Sequence, residues 1–414
     1  MNKIFAVVCV MLVFSFAASE EKEEKALLLK IGDPQLKEEI LEISSDHLYS
    51  ARKGEAVSFE DMIKDLEKNR FIYIGESHDS LPIHKIQAKI IQALYDKKRD
   101  LSIGLEMLPA SLQPVLDKWI NGKLTAEEFI REAEWYVNWN FHFGFYEEIF
   151  LFARDNKIPL YALNAPRKSI TKIRMKGWEA LSDEEKKLIP EPDVSHEEHR
   201  LLIRTIFENT DLPHQMKGEG LELVFKGLYR AQSAWDGVMA HNAIRASEQD
   251  NRILVVLAGT GHLLYNLGIN RKVNEANDEP FRTIVCLDVD KEKSSIRVAR
   301  SLADFIWGLP EEDYPAYPSV GLSFKKFDGL DNLVIDREPM GGAAKKADFK
   351  KGDVVLAVDG RRFDSINEVR RHLSRFTWND EVEFHLLRSG KEVRVMMKFG
   401  FPEKDEGEKG TSEK

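Results

Sequence analysis

The sequence has 414 residues, of which 43% are hydrophobic and 31% are charged, as in ordinary soluble globular proteins. This length allows two or three domains, each with enough chain to bury a core. The formal net charge is −10 at pH 7, and no basic block lies on a predicted helix face, which argues against a nucleic-acid partner.

The first residues have the pattern of a cleaved export signal. Lys3 precedes an apolar run of about fifteen residues, which is short for a membrane span of roughly 20 residues, and small residues before Glu20 suit cleavage. We therefore expect a signal peptide over residues 1–19 and a soluble periplasmic or secreted protein without a stable membrane span; a retained anchor is the alternative. Cleavage would remove Cys9 and leave Cys286 alone, which excludes an intrachain disulfide.

Short apolar runs alternate with helical patterns after this signal. Apolar side chains recur at helical spacing in IHKIQAKIIQALYDKK and in YEEIFLFARDN. Nearly continuous apolar strands separated by helices indicate an α/β domain with a mostly parallel sheet flanked by helices. We assign this domain to residues 20–305. Its predicted strands are FIYIG (71–75), LSIGLE (101–106), IPLYAL (158–163), RILVVLAG (252–259) and RTIVCLDV (282–289).

A change in composition ends the α/β domain. Three prolines fall close together in GLPEEDYPAYPSVG, which is typical of an extended linker, predicted here over residues 306–317. Alternating strand patterns around one helix then predict a small β-rich domain over residues 318–402. The charged end, residues 403–414, has the composition of a disordered tail. The apolar stripe of the predicted helix holds Ile366, Val369, Leu373 and Phe376.

Polar side chains stand where three of the predicted strands end. Glu76 and His78 follow the first strand, Glu106 ends the second, and His262 follows the fourth. Because the carboxyl ends of parallel strands meet at one crevice, we expect these four side chains to share a site. Imidazoles and carboxylates together suit zinc, manganese or cobalt. They could instead act without metal, with a histidine as general base and a glutamate as its partner.

Each of these residues also has a structural interpretation. Glu106 could form a salt bridge or cap a helix, and His262 could bond to the backbone at a helix start. His84 could be a ligand or could cap the helix that it begins. The aromatic stretch EWYVNWNFHFGFY (134–146) could pack on the sheet, or could wall a site for a flat apolar ligand.

Several segments, taken in order, resemble the ChaN-like family, whose members are exported proteins of a haem-binding-uptake and Tiki superfamily. The resemblance covers roughly residues 60–290. It implies haem binding and iron uptake, as in ChaN-type proteins, or a metal-dependent hydrolase or peptidase, as in Tiki and TraB-type relatives with paired G-x-x-H motifs and a glutamate. Erythromycin-esterase-like relatives use a similar set without metal. The segments are YIGESHDSLPIHKIQ, IGLEM, WYVNW, YEEIFLFARDNKIPLYALNAPR, AQSAWDGVMA and VLAGTGH.

Matched residue by residue, the resemblance implies one shared catalytic or metal site and a set of further ligand-binding positions. A haem-ligating tyrosine is expected of ChaN, and two tyrosines lie near the aromatic stretch. The lipoprotein cysteine of the family is absent. The shared site is Glu76, His78, Glu106 and His262, and the further ChaN-pattern positions are His84, Arg167 and Asp236. The two tyrosines, which we add as ligand-binding candidates by their position alone, are Tyr136 and Tyr146.

The last region resembles a PDZ domain over about residues 318–400. GLSF resembles the carboxylate-binding loop, and EPMGGAAKKADFKKGDVVLAVDGRRF and SINEVRRHLSRF follow as in that family. The resemblance implies that Gly321, Leu322, Ser323 and Phe324 bind the C-terminus of a peptide or protein. We therefore predict an exported protein that binds haem or a divalent metal and carries a PDZ domain. The alternative is a metal-dependent hydrolase whose PDZ domain presents substrates, and a homodimer is compatible with either.

Overall fold

A computed structural model describes residues 25–97, 100–209, 218–249 and 251–401. The predicted signal peptide and tail lie outside these residues. The chain divides into two compact units, the first made of Met1–Ala133 and Phe143–Glu311 and the second of Glu134–His142 and Glu312–Lys414. Among the described residues, no helix combines the length and the apolar character needed to cross a membrane.

The described strands and helices alternate in the first unit, whereas strands dominate the second. The strands are β1 (Ile40–Ile43), β2 (Leu48–Ser50), β3 (Glu55–Ala56), β4 (Phe71–Glu76), β5 (Leu101–Pro109), β6 (Leu160–Asn164), β7 (Ile253–Gly259), β8 (Phe281–Val289), β9 (Ile296–Ala299), β10 (Phe305–Pro310), β11 (Phe324–Lys326), β12 (Leu333–Ile335), β13 (Val354–Val358), β14 (Glu381–Arg388) and β15 (Lys391–Lys398). The helices are α1 (Phe59–Leu66), α2 (Leu81–Asp96), α3 (Gln113–Ile120), α4 (Ala126–Glu132), α5 (Trp135–Asn138), α6 (Glu147–Asp155), α7 (Arg167–Lys176), α8 (Asp183–Leu188), α9 (Glu197–Glu208), α10 (Glu219–Gln249), α11 (Ile269–Asn277) and α12 (Ile366–Leu373).

The first unit is built on an eight-stranded sheet with the order β3-β2-β10-β8-β4-β7-β5-β6. The six strands from β10 to β6 are parallel to their neighbours, and β2 and β3 add an antiparallel edge. Every residue of β4, β5 and β7 is buried, because these strands lie inside the sheet with helices over both faces. The predicted α/β class with a mostly parallel sheet is confirmed.

The helices follow the apolar periodicity of the sequence. In α2 the buried side chains include Ile83, Ile86, Ile90 and Leu94, which recur at helical spacing. The long α10 buries alanines along much of its length and, among them, the polar side chain of Asp236. A buried charged group needs partners, and Asp236 finds them in His262, which follows β7, and in His199 of α9.

The chain leaves the first unit through a strand. Residues 306–310, which the composition assigns to the linker, lie in β10, where Phe305–Pro310 pairs in parallel with β8. The prolines therefore mark the end of this strand, since proline cannot donate to a further ladder. Cys286 is free and buried in β8.

The second unit contains a five-stranded antiparallel sheet in which β11 to β15 are neighbours in chain order. Val369 and Leu373 of α12 are buried in its core with Phe349 and Phe384. Ser389 and Gly390 connect β14 to β15 with positive φ angles, as in a two-residue hairpin turn. This confirms the small β-rich domain predicted after the α/β domain.

The second unit also includes a short segment from far earlier in the chain, Glu134–His142, which sequence places in the α/β domain. The Tyr136 N–H donates to Asn367 Oδ1 over 3.2 Å, and Arg370 Nη1 donates to the Tyr136 carbonyl over 2.6 Å. His142 Nε2 lies 2.8 Å from the Ser374 carbonyl oxygen. The segment thus satisfies polar groups along one flank of α12.

Candidate functional site

The ends of three neighbouring strands bring the predicted site residues together. In the parallel register Glu76 pairs with Gly259, and Leu105 pairs with Leu257. The Gly259 N–H donates to Glu106 Oε2 over 2.6 Å. A methyl group added to Gly259 would lie 2.9 Å from His78 Cε1 and 3.6 Å from Glu106 Oε2. Glycine is therefore needed here, because the ring of His78 and the carboxylate of Glu106 both approach this backbone.

Glu76 is the centre of the first cluster. Its side chain is fully buried, and its Oε1 accepts hydrogen bonds from His78 Nδ1 and from the Tyr146 hydroxyl, each over 2.8 Å. Its Oε2 accepts from Gln87 Nε2 over 3.1 Å and lies 3.6 Å from His84 Nδ1. All of the donors that a buried carboxylate requires are thus supplied by side chains.

These contacts decide the charge of Glu76 and His78. Burial alone would raise the pKa of Glu76, but the nearby His84 and His78 and the hydrogen bond from Tyr146 outweigh it and lower that pKa. Burial alone would lower the pKa of His78, yet the bond to Glu76 and the charges of Glu76 and Glu106 raise it. The pair is therefore stabilised as carboxylate and imidazolium.

His262 is the centre of the second cluster. Its Nδ1 lies 2.5 Å from Asp236 Oδ1, and its Nε2 lies 3.4 Å from Glu106 Oε1. The Gln232 amide nitrogen lies 2.8 Å from the same Nδ1. Asp236 is completely buried, and its second oxygen lies 3.2 Å from His199 Nε2. One imidazole thus joins two buried carboxylates.

The two carboxylates hold His262 in its charged form. Burial opposes this, but Glu106 and Asp236 raise the pKa of His262 to about 10. In return, the charge of His262 helps to lower the pKa of Glu106 and of Asp236 against the effect of their burial. The second cluster therefore holds a fixed imidazolium with a carboxylate on each side.

The structure places the remaining predicted site residues unevenly. His84 and Tyr146 join the Glu76 cluster, and Asp236 joins the His262 cluster. Arg167 begins α7, which follows the edge strand β6. Tyr136 lies in α5 of the second unit. The four residues of the PDZ loop, Gly321 to Phe324, lead into β11.

Three residues of the clusters are missing from the sequence prediction. Gln87 follows His84 by one helical turn, and Gln232 precedes Asp236 by one turn, so helical spacing from a candidate residue could have identified both. His199 lies in α9, in the local sequence HEEH, and nothing in that pattern connects it with Asp236. Only the packing of α9 beside α10 reveals the contact.

The donor geometry does not converge on one point. Among the described residues, no group of three or more His, Cys, Asp or Glu side chains has an arrangement that could hold a metal ion. The four predicted residues instead form carboxylate–imidazole pairs. Such pairs can orient an imidazole toward a ligand or transfer protons.

Comparisons with known proteins identify both regions of the chain. A family model described as haem-binding uptake, Tiki superfamily, ChaN matches residues 62–273, and a PDZ-domain model matches residues 318–399. The solved structure titled "Cofacial heme binding to ChaN of Campylobacter jejuni" is 20% identical, with a TM-score of 0.50, and the match covers 63% of this chain and 95% of that chain. At this identity the likeness shows a shared fold, and the predicted resemblance is confirmed.

Two curated relatives match parts of the chain. It is 23% identical over 253 residues to "Protein RETICULATA-RELATED 5, chloroplastic" of Arabidopsis thaliana, a match that covers 58% of this chain and 34% of that protein. It is 36% identical over 81 residues to "Probable periplasmic serine endoprotease DegP-like" of Halomonas elongata, which covers 19% of this chain and 17% of that protein. The chain therefore spans about a third of the first relative and less than a fifth of the second.

Proposed function

Because this chain belongs to the haem-binding-uptake ChaN family of the Tiki superfamily, we propose that its first unit binds haem at the carboxyl-terminal edge of the parallel sheet and acts in iron or haem uptake. The observation that carries this proposal is the imidazole of His78, whose Nδ1 is held by the buried Glu76 carboxylate over 2.8 Å. Histidines that bind metals usually have their other ring nitrogen bonded in this way, which fixes the ring and increases its basicity.

His78 suits this role better than the other histidine of the site. The side chains of His78 and His262 are both 11% exposed. Both rings are favoured in the protonated form, and an iron ligand must give up that proton. The cost is greater for His262, because carboxylates lie beside both of its ring nitrogens and raise its pKa to about 10. Tyr146 lies in the cluster but donates its hydroxyl hydrogen to Glu76, so we assign it the role of orienting that carboxylate.

An absorption titration with haemin tests this proposal. The wild-type protein should give a saturable Soret change, and His78→Ala should weaken binding at least about tenfold, since even the outer partners of a metal ligand are worth about 10- to 100-fold in affinity. His47→Ala is the matched control, because His47 is an exposed histidine of the same unit. Equal titrations of the two variants would contradict the role of His78, and no saturable change in the wild type would contradict haem binding.

We also propose that the second unit recognises the carboxyl terminus of a peptide or protein. Strand β11 is an edge of its sheet, so a peptide strand can add there through main-chain hydrogen bonds. Gly321 has a φ of 77°, and a methyl group on it would lie 1.8 Å from the Gly341 carbonyl oxygen. A tight loop of this kind can direct N–H groups at a carboxylate. Peptides with a free C-terminus should bind more tightly than their C-terminal amides.

The apolar run before Glu20 supports a further proposal, that the protein is exported to the periplasm or secreted. Mass determination of the protein recovered from its native host is the test. A mature N-terminus near Glu20 is the expected result. A chain that retains residues 1–19 would contradict cleavage and favour an N-terminal anchor.

A second candidate function is hydrolysis by acid–base chemistry, and the arrangement of Asp236, His262 and Glu106 favours it. The buried imidazolium of His262 carries a proton that it could donate as a general acid. His78, once it has lost its proton, would then be the general base, with Glu76 orienting its ring. This candidate predicts turnover of ester or amide substrates that persists with a chelator present. Loss of turnover on chelation, with a bound divalent ion found by elemental analysis, would favour the metal-dependent hydrolase instead.

A further inference from the structure

The peptide-binding edge of the second unit carries two lysines that point in different directions. Strand β11 contains Phe324, Lys325 and Lys326, and successive side chains of a strand face opposite sides. Phe324 is buried in the core, so Lys326 extends from the same face of the strand and Lys325 from the opposite face. The Lys325 ammonium accordingly lies 4.7 Å from the centre of the Phe327 ring.

Lys326 reaches across to the beginning of α12. Its Nζ donates a hydrogen bond to the Asp364 carbonyl oxygen over 2.6 Å, and Asp364 comes two residues before the first residue of α12, Ile366. The side chain thus spans the gap between β11 and α12. A peptide strand that adds to the free edge of β11 would run beside this side chain.

The positive charge of Lys326 is not neutralised where it lies. Its hydrogen-bond partner is a neutral carbonyl, and the ion pairs of the described residues include none with Lys326. The first turn of α12 adds the partial positive charge of a helix N-terminus, and its acidic residue, Glu368, pairs with Arg371 over 2.7 Å. Lys326 is therefore available to pair with a negative group that enters between β11 and α12.

The antiparallel register of an added strand determines which peptide residue meets Lys326. With the terminal carboxylate at the loop from Gly321 to Ser323, the last peptide residue lies beside Phe324. The residue two positions earlier then lies beside Lys326, since an antiparallel partner runs backward as β11 runs forward. Residues opposite each other place their side chains on the same face. The third-last side chain of the peptide therefore points at the Lys326 ammonium.

We propose that the second unit selects C-terminal peptides with Asp or Glu two residues before an apolar last residue, and that Lys326 recognises this acidic side chain. The inference rests on the proposed peptide recognition and specifies its ligand. The apolar last residue fits the buried Leu322 and Phe324, whereas the third-last residue meets a charged group. A neutral third-last residue would leave Lys326 bonded to the Asp364 carbonyl and would gain no charge interaction.

Fluorescence polarisation with the full-length protein tests this inference. The probes are labelled hexapeptides that end in X-Ala-Val, where X is Glu, Gln, Lys or Leu. At about 20 mM salt the Glu peptide should bind about two- to fivefold more tightly than the Gln peptide, as expected for one exposed ion pair. The difference should shrink at about 0.5 M salt, because exposed charges are then screened.

Two charge reversals on the same strand make the test specific. Lys326→Glu should invert the order so that the Lys peptide binds more tightly than the Glu peptide. Lys325→Glu makes the same change of charge on the opposite face and should leave the order unchanged. Lys326→Gln, which keeps a hydrogen-bond donor, should remove the discrimination between Glu and Gln without disturbing the fold, as checked by thermal unfolding.

The outcomes separate this inference from the proposal on which it rests. Equal binding of the Glu and Gln peptides by the wild type would overturn the inference and leave peptide recognition intact. Tightest binding of the Leu peptide would also overturn it, because the third-last residue would then be selected for apolar character. If no peptide with a free carboxylate gave saturable binding, peptide recognition itself would fall, and the inference with it.

Discussion

The contact between Asp236 and His262 offers the sharpest test of the buried site. Asp236→Asn keeps the shape of the side chain but removes its charge, so His262 loses the carboxylate 2.5 Å from its Nδ1 and retains Glu106 at 3.4 Å. Asp236 is completely buried, so solvent does not screen the interaction. Removing one partner of a buried ion pair costs about 3–5 kcal/mol, and we expect a loss of this size in the free energy of unfolding.

Urea unfolding followed by far-ultraviolet circular dichroism measures this loss, since most helices belong to the first unit. Asp155→Asn is the matched control, because Asp155 is 64% exposed in its ion pair with Arg154. The control should change the free energy of unfolding by less than about 0.5 kcal/mol. A loss specific to Asp236 would identify burial as its cause.

A double-mutant cycle then separates the pair interaction from other effects. His262→Gln also removes a buried charge and should cost about 3–5 kcal/mol by itself. The double variant should lose at least about 2 kcal/mol less free energy of unfolding than the two single variants together, because neither side chain is then left charged without its partner. Additivity to within about 0.5 kcal/mol would refute the assignment of Asp236 and His262 as a coupled ion pair.

Three further predictions concern pH and two glycines. Because the pKa of His262 is raised in the folded protein, its charge stabilises the fold fully below the unfolded pKa near 6.5, and the free energy of unfolding should fall by up to about 1.4 kcal/mol per pH unit between pH 7 and 9. His262→Gln should make this fall shallower. Identical slopes for wild type and variant in urea titrations would contradict the prediction. Gly259→Ala should displace His78 and reduce the Soret change with haemin, whereas an unchanged titration would show that the ring can move aside at no cost. Gly321→Ala should abolish peptide binding in the polarisation assay, since its methyl group would collide with the Gly341 carbonyl; wild-type affinity would exclude the loop from carboxylate binding.

The sheet and the strand-end residues were accessible from the sequence because both depend on local pattern. Apolar runs that lead into Glu76 and towards His262 reveal a strand and its terminus, and the rule for parallel sheets then predicts that these residues lie close together. His199 was not accessible, because it lies on a helix face where a histidine fits ordinary packing. Its contact with Asp236 depends on how α9 and α10 pack, and no local pattern encodes that arrangement.

The segment Glu134–His142 was missed for a related reason. Its aromatic side chains indicate burial but do not indicate which core they join. The structure shows hydrogen bonds from this segment to α12, more than two hundred residues later in the chain. A composition shift at the prolines marks where the chain passes from one unit to the other for the last time, and it gives no sign of the two earlier crossings.

This discontinuity affects the order in which the protein is made. The segment leaves the ribosome well before α12 is synthesised, and at about 5–20 residues per second the delay is on the order of tens of seconds. Trp135, Tyr136 and Trp139 are all buried in the folded protein. During translation the α12 groups that bond to this segment are absent until the second unit has been synthesised, so a chaperone that binds aromatic segments has a defined interval in which to act. The second unit is thus the last part of the molecule able to fold, although one of its pieces is synthesised early.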